Sequence, residues 1–76
     1  MIRAADALRD ATRRLTEAGI EDAPRDARRL LAHALGLAPD RLTLHLQDEV
    51  GAAAKVAFEA AMTARLARQP VAQITG

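Results

Sequence analysis

Apolar residues recur along this chain at three- and four-residue steps, the period of an amphipathic helix and not the alternation of a strand. Ala4, Leu8, Ala11, Leu15 and Ala18 form a first stripe, which predicts a helix from about Ile2 to Ala18. The opposite face carries Asp6, Arg9, Asp10, Arg13 and Arg14, with Asp10 placed to meet Arg13 at i+3 and Arg14 at i+4. Such pairs contribute about 0.2–0.5 kcal/mol each, so they solubilise the face more than they hold the fold. Gly19 falls where a left-handed C-terminal cap belongs, and Ile20 can fold back onto the helix end.

A second helix is predicted to begin near Pro24, whose missing N–H costs nothing in the first turn. Asp22 and Asp26 put negative charge near its N-terminal dipole end. Ala27, Leu30, Leu31, Ala34 and Leu35 then occupy i, i+3, i+4, i+7 and i+8, the cleanest amphipathic run in the chain, and Gly36 ends it. Pro39 and Asp40 signal a third, short helix, although Leu42, Leu44 and Leu46 alternate with Thr43 and His45 as a strand would. A lone strand would have no partner, so a short helix unwinding near Leu46 is the better reading. Gln47 to Gly51 is a polar connection.

The fourth helix spans about Ala52 to Ala67, with Ala54, Phe58, Ala61, Met62 and Leu66 facing inward and Lys55 and Glu59 forming an exposed i, i+4 pair. Gln69-Pro70 stops it, and Pro70 can start a last turn in which Val71 and Ile74 make a small apolar face. The pattern predicts an all-α fold, a small bundle of four to five helices forming a single domain over residues 1–76. Its expected core is Leu8, Leu15, Leu30, Leu31, Leu35, Phe58, Met62 and Leu66.

Composition sharpens this. At 76 residues the chain is one domain, and a domain of this size buries only roughly 60% of its unfolded surface. Alanine supplies much of the hydrophobic fraction and Phe58 is the one aromatic, so helices must pack closely around a few larger side chains. Scarce β-branched and aromatic residues argue against a sheet. Without cysteine there is no disulfide staple and no thiolate metal site. No apolar run approaches the ~20 residues of a membrane span, and Asp6 and Asp10 interrupt what would be a signal peptide's apolar stretch. A cytoplasmic protein is expected.

The side chains offer little chemistry. His33 and His45 have no His-x-x-x-His or Glu-x-x-His spacing, so no metal face is expected. The hydroxyls are Thr12, Thr16, Thr43, Thr63 and Thr75, without serine, and no nucleophile–base pair stands out. The glycines stand singly at 19, 36, 51 and 76, so no glycine-rich loop cradles a phosphate or dinucleotide. The chain alone is expected to be non-catalytic and to hold no cofactor.

Charge leaves two places to consider. Arg25, Arg28 and Arg29 ahead of Leu30-Leu31 could be read as a DNA-recognition helix, but Asp22 and Asp26 dilute them and the net charge is only +1. A solvated helix face is the simpler account, and no direct nucleic-acid contact is expected. Arg65 and Arg68 make a second basic ridge, with no acid after Glu59. Either they sit favourably at a helix C-terminus, or they form a contact surface for an acidic or RNA-associated partner.

Two segments carry a resemblance. Asp26-Ala27-Arg28-Arg29-Leu30-Leu31-Ala32-His33-Ala34-Leu35-Gly36 is similar to the DAxxLLxHxLG signature of the N-terminal domain in the HemK/PrmC family. Arg65-Leu66-Ala67-Arg68-Gln69-Pro70-Val71-Ala72-Gln73-Ile74-Thr75-Gly76 resembles that family's RRxxxxPxAxIxG segment, which leads from the helical domain toward the catalytic one. The family comprises S-adenosylmethionine-dependent protein-(glutamine-N5) methyltransferases acting on bacterial peptide-chain release factors. The resemblance implies a five-helix bundle that helps to engage the release factor, with Arg65, Arg68 and Gln73 as candidate partner contacts.

Two departures stand out: Gly51 replaces the usual Ser or Thr N-cap, and the family's cofactor loop and Asn-Pro-Pro-Tyr motif have no counterpart. The chain therefore reads as a piece of a longer enzyme whose Rossmann-like methyltransferase domain, and with it S-adenosylmethionine, lies elsewhere. The expected partners are the release factor and that catalytic domain. The rival reading is a free-standing helical interaction or nucleic-acid-binding module.

Overall fold

The computed structural model describes residues 2–76. Four α-helices and one 3₁₀ helix follow in the order α1 (Ala4–Glu17), α2 (Ala23–Leu35), the 3₁₀ helix (Pro39–His45), α3 (Ala52–Leu66) and α4 (Val71–Thr75). Among the described residues there is no strand, only an isolated antiparallel bridge between Arg3 and Glu49. The all-α bundle expected from the periodicity is what forms. Its radius of gyration, 11.1 Å, is close to the ~11.4 Å expected of a folded chain of this length.

α2 is the hub, since α1, the 3₁₀ helix, α3 and α4 all pack on it. Leu30 and Leu31 are fully buried, and so are Ala27 and Ala32. Buried alanines on α1 (Ala4, Ala7, Ala11) and on α2 (Ala23, Ala27) let those two helix axes approach closely, because interaxial distance follows side-chain size at the contact. Leu15, Ile20, Leu42, Phe58 and Met62 complete the core, with Leu8, Leu35 and Leu66 half-buried at its edge.

The helix ends show how the chain turns. Gly19 has φ +80°, Ile20 N–H donates to Leu15 carbonyl at 3.0 Å and Gly19 N–H to Thr16 carbonyl at 3.0 Å, a Schellman cap with Ile20 folded onto Leu15. α2 ends the same way, with Gly36 at φ +73° and Leu37 N–H on Ala32 carbonyl at 2.8 Å. α3 repeats the motif without glycine: Gln69 N–H donates to Ala64 carbonyl at 3.1 Å, and Arg68 takes the left-handed position at φ +73°. A side chain there costs on the order of 1–2 kcal/mol.

At the other end of α1 no side chain caps the helix. Ala4 N–H donates to Asp48 carbonyl at 2.9 Å and Ala5 N–H to Leu46 carbonyl at 2.8 Å. The end of the short helix, at Leu46, and the segment read as a polar connection, at Asp48, thus each supply a carbonyl to an orphan donor of α1.

The ion pairs expected on α1 form, Arg13 and Arg14 both reaching Asp10. The hydrogen bonds that Arg13 donates to Asp10 first, then to Glu17, push its guanidinium further above its ordinary value. The expected Lys55–Glu59 pair does not form. Glu59 instead takes Arg14 of α1 at 3.2 Å, because the packing of the bundle brings a guanidinium against its carboxylate. Gly51 does stand at the N-cap of α3, where no side chain bonds to the first turn.

Candidate functional site

Arg65 and Arg68 do not form one ridge. Arg65 lies in the last turn of α3, where its Nε donates to Asp26 Oδ2 at 2.9 Å and its Nη1 to Gln69 carbonyl at 3.0 Å. Arg68, beyond the helix in the left-handed position, turns its Nη2 to Ala18 carbonyl at 2.7 Å, at the end of α1. Both guanidinium groups therefore fasten the end of α3 to neighbouring helices. Asp26, read from the sequence as a dipole charge, is buried, and its partner is thirty-nine positions away. Gln73, the third candidate, is exposed on α4.

The basic residues of α2 divide by helical angle. Arg28 is drawn to the 3₁₀ helix, donating to Thr43 Oγ1 at 2.9 Å. Arg25, Arg29 and His33, at i, i+4 and i+8, are exposed along one stripe and make no ion pair among the described residues. Beside this stripe α4 packs on α2 and α3, leaving a cleft of about 430 Å³ lined by Arg29, His33, Leu37, Pro39, Val71 and Thr75, among others. Leu37, Pro39 and Val71 give it an apolar lining, and its α2 edge carries Arg29 and His33.

Elsewhere several polar side chains are committed to structure. Thr12, Thr16 and Thr75 return their hydroxyls to carbonyls four residues back. His45 Nδ1 lies 2.8 Å from Asp48 Oδ2, an oriented imidazole with no hydroxyl or thiol nucleophile bonded to it. No cluster of His, Cys, Asp or Glu among the described residues could hold a metal ion. No helix among them is long and apolar enough to cross a membrane.

Comparison with known proteins decides the family. Residues 6–76 match the family described as PrmC N-terminal domain. The chain belongs to that family. It is 63% identical over 75 residues to the release factor glutamine methyltransferase of Cereibacter sphaeroides, an alignment covering 99% of this chain and 27% of the relative. The protein of the same name in Corynebacterium glutamicum is 41% identical over 76 residues, covering 100% of this chain and 26% of the relative. That of Deinococcus radiodurans is 39% identical over 71 residues, covering 93% and 26%. The chain thus spans about a quarter of the length of these relatives. No solved structure matches it.

The methyltransferase name implies S-adenosylmethionine, and the residues of this PrmC N-terminal domain do not fit that cofactor. Its glycines cap helices or precede them singly, with open space around each, so no backbone cradle approaches an adenosine or a carboxylate. Among the described residues, no Asp or Glu side chain lines the α2–α4 cleft to accept from ribose hydroxyls. Calorimetric titration of the chain with S-adenosylmethionine is expected to be flat, and a saturable isotherm would contradict this account.

Proposed function

We propose that this domain holds the protein substrate of a release factor glutamine methyltransferase, while cofactor binding and methyl transfer belong to a catalytic domain outside these residues. The observation that carries this reading is the match of nearly the whole chain to about a quarter of relatives bearing that name. Most arginines here are tied to partners within the fold, whereas Arg29 edges the α2–α4 cleft without an ion-pair partner among the described residues. A cytoplasmic setting, where release factors act, goes with the proposal.

A second contact surface on a large substrate assists a methyl transfer by fixing the reacting amide in register, since positioning supplies a large part of such a barrier reduction. Gln73 on exposed α4 is a candidate to touch the release factor directly. Arg65 and Arg68 would act through α3: they fix the end of the helix from which α4 departs.

The test compares the full-length enzyme with and without residues 1–76, and separately measures binding of the release factor to the isolated domain. Deletion is expected to raise the KM for the release factor by at least about tenfold while changing kcat much less, the mark of lost uniform binding. An unchanged KM together with no binding to the isolated domain would refute the proposal.

A further inference from the structure

The geometry points to the α2–α4 cleft as the place where a partner segment docks, and to an acidic peptide carrying an aliphatic side chain as its occupant. This rests on the proposed function, and it names the surface and the chemistry recognised.

Charge selects the surface. Most arginines of the domain are already engaged: Arg3 on Gln47 carbonyl, Arg9 on Asp6, Arg13 and Arg14 on Asp10, Arg28 on Thr43, Arg65 on Asp26 and Arg68 on Ala18 carbonyl. Among the described residues Arg25, Arg29 and Arg41 have no side-chain partner, and two of these three lie one turn apart on the exposed stripe of α2 that His33 continues. Arg29 and His33 form an edge of the cleft, and no Asp or Glu lines it. A planar guanidinium fork without a counter-ion is suited to receive a carboxylate in two-point contact.

Shape and polarity select the rest of the occupant. The cleft, about 430 Å³, falls within the ~300–1,000 Å³ of sites that enclose small ligands. Leu37, Pro39 and Val71 offer apolar contact beside the Arg29 guanidinium, which suits an aliphatic side chain next to the carboxylate. A nucleic acid is disfavoured on the same grounds: the only aromatic, Phe58, is buried and gives no base a stacking platform, and the net charge is +1.

The experiment titrates the isotopically labelled 76-residue chain with purified release factor, and in a parallel arm with a single-stranded RNA oligonucleotide. Release factor is expected to shift amide resonances around Arg29, His33, Val71 and Thr75. Arg29→Glu should weaken binding about tenfold, and Arg25→Glu with it should weaken binding further. Arg29 is exposed and makes no ion pair, so its replacement should leave the fold intact, as an unchanged spectrum elsewhere would show. Arg9→Glu makes the same charge change on α1, which does not line the cleft, and should leave affinity unaltered.

Binding of the release factor with shifts on another face, or with affinity indifferent to Arg29→Glu, overturns the cleft and leaves the proposed function standing. No binding by the wild-type chain overturns both. Saturable RNA binding at Arg25, Arg29 and His33 in place of the protein overturns the peptide assignment.

Discussion

Leu31→Ala is expected to lower the unfolding free energy by about 2–5 kcal/mol, the range for removing a leucine from a core that collapses only partly. Leu31 is fully buried on α2, the helix on which every other element packs, so few neighbours can move to fill the space without disturbing the rest. A 76-residue domain has a total stability of roughly 4–11 kcal/mol at 0.05–0.15 kcal/mol per residue. The substitution therefore removes a large share of it, and the variant should be partly unfolded under conditions where the wild type is native. Leu35→Ala, four residues along the same stripe but only half-buried, should cost distinctly less. Urea denaturation monitored by circular dichroism checks both, with the midpoint of Leu31→Ala well below the others. Equal midpoints for the three proteins would mean that the interior of α2 lies on another face.

Helical period carried most of the fold because it is a local property. The stripes on α1, α2 and α3 were legible, as were the proline starts and the two glycine caps, each fixed by backbone geometry within a few residues. The Leu42-Leu44-Leu46 alternation resolves through the period of a 3₁₀ helix: Leu42 is buried, Leu44 is 71% exposed, and Leu46 beyond the helix is half-buried. Ala32 could not be read as core, since it lies opposite the apolar stripe of α2. It is buried because other helices cover α2 on more than one side. Leu8, Leu35 and Leu66 follow the stripes yet end half-buried, because a bundle this small has more edge than interior.

The candidate site was less legible for a physical reason. Which arginine is free depends on partners far away in sequence. Arg28 and Arg29 are neighbours in the chain, yet about 100° of helical rotation sends one to Thr43 and the other to an open cleft. The left-handed Arg68 carries no local signal either, since only the fold, with α1 and α3 both packed on α2, brings Ala18 carbonyl within its reach. Sequence alone groups Arg65 with Arg68 as one ridge, whereas the fold turns them to two different partners, Asp26 for the partly buried Arg65 and Ala18 carbonyl for the exposed Arg68.

The Asp26–Arg65 pair should behave as a structural tie and not as a surface salt bridge. The two side chains are 11% and 20% exposed, and the contact joins the first turn of α2 to the last turn of α3. Arg65→Ala leaves the Asp26 carboxylate with little access to water and without its cation, and it frees the Gln69 carbonyl next to Pro70. Breaking a fully buried pair costs about 3–5 kcal/mol, and the residual exposure here lowers the expectation to about 2–4 kcal/mol. Asp26→Ala should cost a similar amount, because Arg65 then keeps only its bond to Gln69. The double variant should cost less than the sum of the two, since the second substitution removes a group already stranded by the first. Asp26→Leu with Arg65→Met, which replaces the pair by apolar side chains of related size, should recover much of the loss. Screening is weak for such a pair, so these differences should persist at about 1 M salt, where an exposed contact such as Arg9–Asp6 contributes nothing measurable. Denaturation midpoints of the four variants at low and high salt decide the matter. Single substitutions that cost under about 0.5 kcal/mol and add without coupling would make Arg65 an ordinary solvated helix-end charge.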